Sequence, residues 1–292
     1  MDHSATPTVV VLGSVNMDLV TTTTRRPALG ETVLGSGFAT VTGGKGANQA
    51  IAAARSGARV RFLGAVGDDA FGTTLRTTLD DAGVDTTLLR TVSGPSGVAT
   101  IVVDSAGENS IIVVAGANGQ VTDLTEDEFA AIEAADILLC QLEIPLETVA
   151  AAAHRARAAG TLVALNPSPV QSLPADLWAD TELAIVNSLE YEQFSSPLGQ
   201  VAHVVRTLGS GGALYRGDDG AELSVDGLAV DVVDTTGAGD AFAGALVARW
   251  SHGPAAALNW ANTAGALATT RLGAAAAIPG RQQIAASLAD VR

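Results

Sequence analysis

One carboxylate in this chain sits where a phosphate would be expected to dock. In Val233-Asp234-Thr235-Thr236-Gly237-Ala238-Gly239-Asp240-Ala241-Phe242-Ala243-Gly244, a β-type pair (Val232-Val233) and two threonines lead into a Gly-Ala-Gly turn. The apolar, Ala-rich run Ala241 to Trp250 behind the turn reads as a buried helix. Glycines let a backbone approach a ligand closely, and the first N–H groups of a helix have no intrahelical partner. Such an end attracts anions, phosphate above all. Asp240 is the anomaly, because the ligand this site attracts would repel it. An acidic residue in a first turn also has an ordinary reading, as a complement to the helix dipole. A carboxylate that takes the proton of a hydroxyl attacking a phosphate explains both features together.

A second glycine loop, Gly43-Gly44-Lys45-Gly46-Ala47-Asn48-Gln49-Ala50, opens a helix running through Arg55. It is not a Walker A loop, because Gly46 stands where Ser or Thr should follow the lysine. Of the 16 basic residues, Lys45 is the only lysine and the other 15 are arginine, so the single ammonium lies in a glycine loop. Near the start of the chain, Asn16 and Asp18 are two residues apart, so an extended backbone turns both side chains the same way. Further along, apolar runs end in Gln141-Leu142-Glu143, in Asn166-Pro167 and in Asn187-Ser188-Leu189-Glu190, and another runs into Gly209-Ser210-Gly211-Gly212. Each alone reads as an ordinary polar turn. Gathered at the carboxyl edge of one parallel sheet, they would line a single cleft.

The elements that must position these residues follow from periodicity. Residues 9–13 form a buried strand ending in glycine, followed by strand 59–66 and a helix over Asp68 to Ala82. Thr125-Glu126-Asp127-Glu128 is a capping box that starts a helix ending before Asp136. Strand 137–141, helix 146–159, strand 161–166, strand 183–187 and strand 204–208 then alternate as βαβ units do, which predicts a parallel sheet. A helix over 254–271, a loop through Pro279 and a last helix from Arg281 complete the chain. Thr21 to Thr24, Thr32 to Val41 and the hairpin Val98–Asp104 with Glu108–Val114 read as exposed strands of a small accessory sheet.

Composition bounds the function. The 292 residues are 47% hydrophobic but only 4% aromatic, so the core must be built from Val, Leu and Ala. A net charge of −15 argues against nucleic acid or an anionic membrane as partner, so any phosphorylated ligand must be held by local fields. The lone Cys140 lies in the apolar run Ile137-Leu138-Leu139-Cys140; it reads as core, and with no internal disulfide possible it fits a reducing cytoplasm. Met1-Asp2-His3-Ser4 lacks a basic leader region, and no apolar run reaches membrane-spanning length. A nicotinamide oxidoreductase would require a third glycine at 242, where Phe stands.

The motifs Asn16-x-Asp18, Gly43-Gly44-Lys45-Gly46-Ala47-Asn48-Gln49, Gln141-Leu142-Glu143, Leu165-Asn166-Pro167, Asn187-x-x-Glu190, Thr207-Leu208-Gly209 and Asp234-to-Asp240, in that order, resemble those of the ribokinase-like carbohydrate kinases from Gly13 to Pro279. The resemblance implies a single domain over residues 1–292: a three-layer α/β/α fold with a mostly parallel central sheet and a small β-sheet lid from about 17–41 and 97–115. It implies transfer of the ATP γ-phosphoryl group to the 5-hydroxyl of D-ribose, or to another pentose or nucleoside such as 2-deoxyribose or adenosine; a non-catalytic sugar sensor shares the fold. Carried over, Asn16, Asp18, Gly44, Lys45, Asn48 and Glu143 hold the sugar, and Asp240 is the general base. The N–H groups of Gly237, Ala238 and Gly239 form the anion hole. Asn187 and Glu190 serve Mg²⁺ and the phosphates, largely through water. Thr207, Gly209, Gly212, Gly239 and Asn262 lie along the nucleotide. Asp234, Thr236, Arg271 and Gly273 surround a monovalent cation, K⁺. The accessory sheet itself predicts a homodimer through the lid, because exposed Val98–Val103 and Ile111–Val114 leave apolar faces and open edges that pairing would cover.

The cation segment departs from the family pattern. Relatives commonly carry serine two residues before the proline, whereas this chain has Ala277 before Ile278-Pro279. Alanine lacks a hydroxyl oxygen, and a hard cation depends on the number of oxygens around it. K⁺ is therefore expected to activate by ordering the anion loop but to bind weakly. Ala277→Ser should lower the K⁺ concentration for half-activation without changing kcat at saturation. Equal activity with and without K⁺ would remove the assignment at Asp234.

Overall fold

The computed structural model describes residues 6–290, the side chain of Asp290 excepted; the Met1–Ser4 segment discussed above lies outside the described residues. The strands, in chain order, are β1 (Thr8–Leu12), β2 (Asn16–Thr23), β3 (Gly35–Gly43), β4 (Arg59–Gly67), β5 (Val84–Asp85), β6 (Leu89–Val92), β7 (Gly97–Val103), β8 (Asn109–Val114), β9 (Ile137–Cys140), β10 (Leu162–Leu165), β11 (Leu183–Asn187), β12 (His203–Thr207), β13 (Ala213–Arg216) and β14 (Glu222–Val225). The helices are α1 (Lys45–Arg55), α2 (Ala70–Asp81), α3 (Glu126–Glu133), α4 (Leu146–Ala159), α5 (Ala175–Asp180), α6 (Ser188–Gln193), α7 (Ser195–Leu198), α8 (Ala238–Arg249), α9 (Pro254–Ala268), α10 (Ala274–Ala277) and α11 (Arg281–Asp290).

The main sheet runs β14-β13-β12-β11-β10-β9-β1-β4-β5, with β6 also paired to β4. It is parallel from β12 through β5, and β13 and β14 add an antiparallel edge. Alternation along β1 shows how the layers form. Val9 and Val11 pack with α1, α8 and α9, while Val10 and Leu12 pack on the opposite face with α3, α4 and α5. A fully buried strand therefore reads as an unbroken Val/Leu run. Cys140 sits in this core, where burial pushes its thiol well above the ordinary range.

The smaller sheet, β3-β2-β7-β8, stands off the domain. Its β2 and β7 pair in parallel and its outer pairs are antiparallel. Strand β8 is exposed throughout, and Phe38 and Ile112 are 69% and 67% exposed. The expected three-layer fold with a lid is thus present. The lid strands begin at Asn16 and Gly97 and end at Gly43 and Val114, all beside the carboxyl edge of the main sheet. Among the described residues, no helix is long and apolar enough to cross a membrane.

Four local expectations differ. Val232-Val233 is not a strand: the N–H groups of Val233 and Asp234 both donate to the Thr269 carbonyl, at 2.8 and 3.1 Å. The two valines remain exposed because no neighbouring strand reaches them. Helix α9 stops at Ala268 rather than 271, where Thr269 and Thr270 fold their hydroxyls back onto the Ala266 and Leu267 carbonyls. The stretch before Pro279 is not all loop, because its alanines form α10. Strand β3 starts at Gly35 rather than Thr32.

Candidate active site

Helix α8 begins at Ala238, with Gly237 as a left-handed N-cap at φ 75°. This puts Asp240 in the first turn, 8% exposed. Its carboxylate is gripped from α1 by consecutive amides: Asn48 Nδ2 donates to Oδ2 at 3.0 Å and Gln49 Nε2 to Oδ1 at 2.9 Å. Gln49 is itself fixed, because Gln141 Nε2 donates to its Oε1 at 2.7 Å. The Gln49 amide also reaches Asn166 Oδ1 (3.0 Å), and Asn166 donates to the Ile185 carbonyl (2.9 Å). One chain of amides therefore links the ends of β9 and β10 to the carboxylate on α8. Of the three N–H groups assigned to the anion hole, that of Ala238 donates to the Thr235 carbonyl at 3.2 Å.

The glycine loop before α1 passes under the start of β2. A Cβ on Gly43 would lie 2.1 Å from an Asp18 carboxylate oxygen, so only glycine lets that carboxylate rest on the backbone. Glu143 Oε2 accepts the Lys45 N–H (3.0 Å) and the Ser14 hydroxyl, tying this loop to the end of β9. Asp18, Glu143 and Asp240 thus crowd one region. Burial first, then repulsion from Glu143 and Asp240, push the Asp18 carboxyl from 3.8 to about 7. Lys45 balances this cluster. Burial acts to lower its pKa, but Asp240, Glu143 and Glu190 outweigh burial and hold it above the ordinary value.

A cleft of about 140 Å³ is lined by Lys45, Asn166, Ser168, Asn187, Glu190, Thr207, Gly237, Gly239 and Asp240, among others. Asn187 and Glu190 cap α6 reciprocally: Asn187 Oδ1 accepts the Glu190 N–H (2.9 Å) and Glu190 Oε2 the Asn187 N–H (2.8 Å). Beyond the cleft, Asn262 donates to the Asp226 carbonyl (2.9 Å), and Gly212 and Ser210 lie against the same 226–227 segment, with Gly209 opening their turn. Asp234 accepts N–H bonds from Thr236 and Gly273, each 2.9 Å, and pins the anion loop to the start of α10. Burial opposes its ionisation, but these bonds hold its pKa below the ordinary value. Arg271 is exposed beside this clamp. Ala277 is buried in α10, with the Ala275 and Ile278 carbonyls both taken by Arg55 (3.0 and 2.7 Å).

The sequence-derived residues therefore fall into three groups: the polar cluster around Asp18 and Glu143, the cleft at the start of α8, and the Asn262 and Gly212 segment beyond it. Residues 6–281 match the model of the pfkB family of carbohydrate kinases. The chain belongs to that family. It is 36% identical to a ribokinase of Haemophilus influenzae, over 94% of this chain and 96% of that one. It is 38% identical to the Bacillus subtilis ribokinase, over 94% and 97%. The structure of Arabidopsis thaliana ribokinase complexed with ribose and ATP superposes with a TM-score of 0.90 at 31% identity, covering 97% of this chain and 99% of that one.

Ser14, Gln49, Gln141 and Asn166 join the site although sequence reasoning does not select them; the last three lie within its motifs. Amides give no titration or metal signature in a sequence. The signal was their position at strand ends facing a glycine loop.

The Asp18 shift has a consequence for stability. An unfolded Asp18 releases its proton near pH 3.8, while the folded one keeps it to about pH 7. Folding binds a proton between these values, so stability contributed here falls as pH rises from about 4 to about 7, then stays level. Asp18→Asn should flatten that part of the profile in sugar-free protein, read from urea midpoints across pH. A variant whose profile parallels the parent's would show that Asp18 ionises normally.

Proposed function

We infer that this chain is an ATP-dependent kinase of D-ribose, which moves the γ-phosphoryl group to the sugar 5-hydroxyl and releases D-ribose 5-phosphate and ADP. The observation that carries this reading is Asp240, buried at the N-terminus of α8 with both oxygens aligned by amides. The names of the ribokinase relatives support the choice of sugar.

In this reading Asn16, Asp18, Lys45, Asn48 and Glu143 hold the sugar hydroxyls, and Gly44 leaves room for them. Asp240 takes the proton of the 5-hydroxyl as its oxygen bonds to the γ-phosphorus. The bond from that phosphorus to the β-phosphate oxygen breaks, and its electron pair leaves with ADP. The α8 N-terminus, through Gly237 and Gly239, meets the charge that builds on the transferred group. Thr207, Gly209, Gly212 and Asn262 border the nucleotide. Closing the lid excludes water, the competing acceptor.

Mg²⁺ would neutralise phosphate charge. Among the described residues no cluster of three or more His, Cys, Asp or Glu forms a metal cage. That fits an ion held by Glu190, Asn187, water and the phosphates together. K⁺ would sit by Asp234, Thr236, Arg271 and Gly273, whose convergence on the anion loop suits that role. We place the protein in the cytoplasm, on the strength of its single buried thiol.

An ADP-release assay across ribose, deoxyribose, fructose and nucleosides tests the substrate, with ribose expected to have the highest kcat/KM. Asp240→Asn should keep sugar affinity and lower kcat by about 10²–10⁴-fold, the usual contribution of a positioned base. A loss under about tenfold would remove that role.

We also propose a homodimer through the lid. Strand β8 leaves Ile111, Ile112, Val113 and Val114 more than half exposed on an open edge, which a second copy would cover. Light scattering at micromolar concentration should give twice the chain mass; a monomer would overturn the pairing.

A further inference from the structure

We propose that Asn118 is a positioning residue for the sugar: it sets which way the Asn16 amide points and locks that choice to the hinge of the lid. This rests on the reading of Asn16 as a sugar ligand.

Asn118 lies in a 3₁₀ turn (Gly116–Gln120) directly after β8 and is 1% exposed. Its side chain pairs with the Val15 peptide as a neighbouring strand would. Oδ1 accepts the Val15 N–H at 3.0 Å, and Nδ2 donates to the Val15 carbonyl at 3.1 Å. A backbone N–H can only donate, so this pairing fixes which end of the Asn118 amide carries oxygen. Nδ2 also donates to Asn16 Oδ1 at 2.7 Å, the shortest of the three bonds. The orientation of Asn16 follows: its oxygen is turned to Asn118, and its Nδ2 hydrogens remain for the ligand. The sugar oxygen opposite Asn16 must therefore accept.

The same bond lies at the point where the lid joins the domain. Asn16 is the first residue of β2 and pairs in register with Gly97, the first of β7. A Cβ on Gly97 would lie 2.1 Å from Asn118 Nδ2 and 2.3 Å from Asn16 Oδ1, so the amide pair passes directly over that glycine. The Ala115 carbonyl, at the end of β8, accepts the Asn118 N–H at 3.0 Å. Both inner lid strands and the exit of the outer one thus meet at one side-chain hydrogen bond.

A double-mutant cycle tests this. Asn118→Asp keeps the acceptor for Val15 N–H and the side-chain volume, but turns an oxygen toward both Asn16 Oδ1 and the Val15 carbonyl, of which only the Asn16 amide is free to turn away. Asn16 must then rotate and present its own oxygen to the sugar, where it competes with the neighbouring carboxylates for the hydroxyl's single hydrogen. The expected result is a rise in ribose KM of about tenfold, the worth of one well-made hydrogen bond, with KM for ATP changed less than about twofold. In an Asn16→Ala background the same substitution should change ribose KM by less than about twofold. Multiplicative effects in the two backgrounds would show that Asn118 acts on ribose KM independently of Asn16, and would overturn the proposal. If Asn16→Ala alone leaves ribose KM unchanged, the assignment of Asn16 to the sugar fails, and the proposal with it. Should the buried carboxylate prevent folding, Asn118→Ala releases Asn16 without adding charge. It must show the same dependence on the background, and multiplicative effects would overturn the proposal here too. Thermal melts of each variant separate loss of fold from loss of affinity.

Discussion

The structure depends on holding one buried carboxylate in place. Asp240 stands at a helix end, where the field favours its charge, yet it is removed from water and close to two other acidic groups. Two charge-assisted hydrogen bonds from Asn48 and Gln49 compensate for the lost solvation. Both donors lie on α1, so the carboxylate is only satisfied when α1 and α8 are packed together. The small residues along this contact make that possible. A Cβ on Gly244 would come within 2.2 Å of the Gln49 carbonyl, so α8 approaches the backbone of α1. Packing and chemistry are here the same constraint.

Charge is the second organising problem. A chain of net charge −15 that handles a polyanion must supply attraction locally. Half-buried Lys45 supplies it among the carboxylates Asp240, Glu143 and Glu190, which together hold its pKa above the ordinary value against the opposing effect of burial. The N-terminus of α8 supplies it as well, with no side-chain charge. Arginine at position 45 would carry the same charge in a broader, planar group, poorly matched to a loop of glycines. The cluster of Asp18, Glu143 and Asp240 is costly without ligand, and sugar hydroxyls are suited to relieve it because each can donate to a carboxylate.

Much of this was legible in the sequence, for identifiable reasons. Unbroken Val/Leu runs ending in polar residues marked buried parallel strands and the edge where they converge. The capping box at Thr125 formed as its spacing required. Asn16 and Asp18 fall on β2 with the period-two spacing read from their separation. What could not be read was set by tertiary partners. Nothing local announces that the Thr269 carbonyl takes two N–H groups and keeps Val232-Val233 out of a sheet. The short edge strands β13 and β14 pair only because β12 is there to receive them. Nothing in the sequence singles out Asn118, because its three side-chain bonds reach back more than a hundred residues.

The direction of hydrogen bonding in the pocket adds a final step. Asn48 spends its Nδ2 on Asp240, and its Oδ1 is buried with no partner among the described residues. Asn16 spends its Oδ1 on Asn118 and keeps its Nδ2. The two asparagines are thus opposite in sense, one an acceptor and one a donor, and neither can flip without breaking a bond behind it. A buried polar atom left unmatched costs roughly 1–3 kcal/mol, which a ligand recovers only by presenting the complementary group. In the proposed sugar complex one hydroxyl donates to Asn48 while another accepts from Asn16 and keeps its single hydrogen for a neighbouring carboxylate, so a polyol fits both positions at once. On the proposed placement of the sugar, a ligand lacking the hydroxyl at Asn48 would leave that acceptor orphaned, and selectivity would arise from the penalty on the wrong ligand as much as from attraction of the right one.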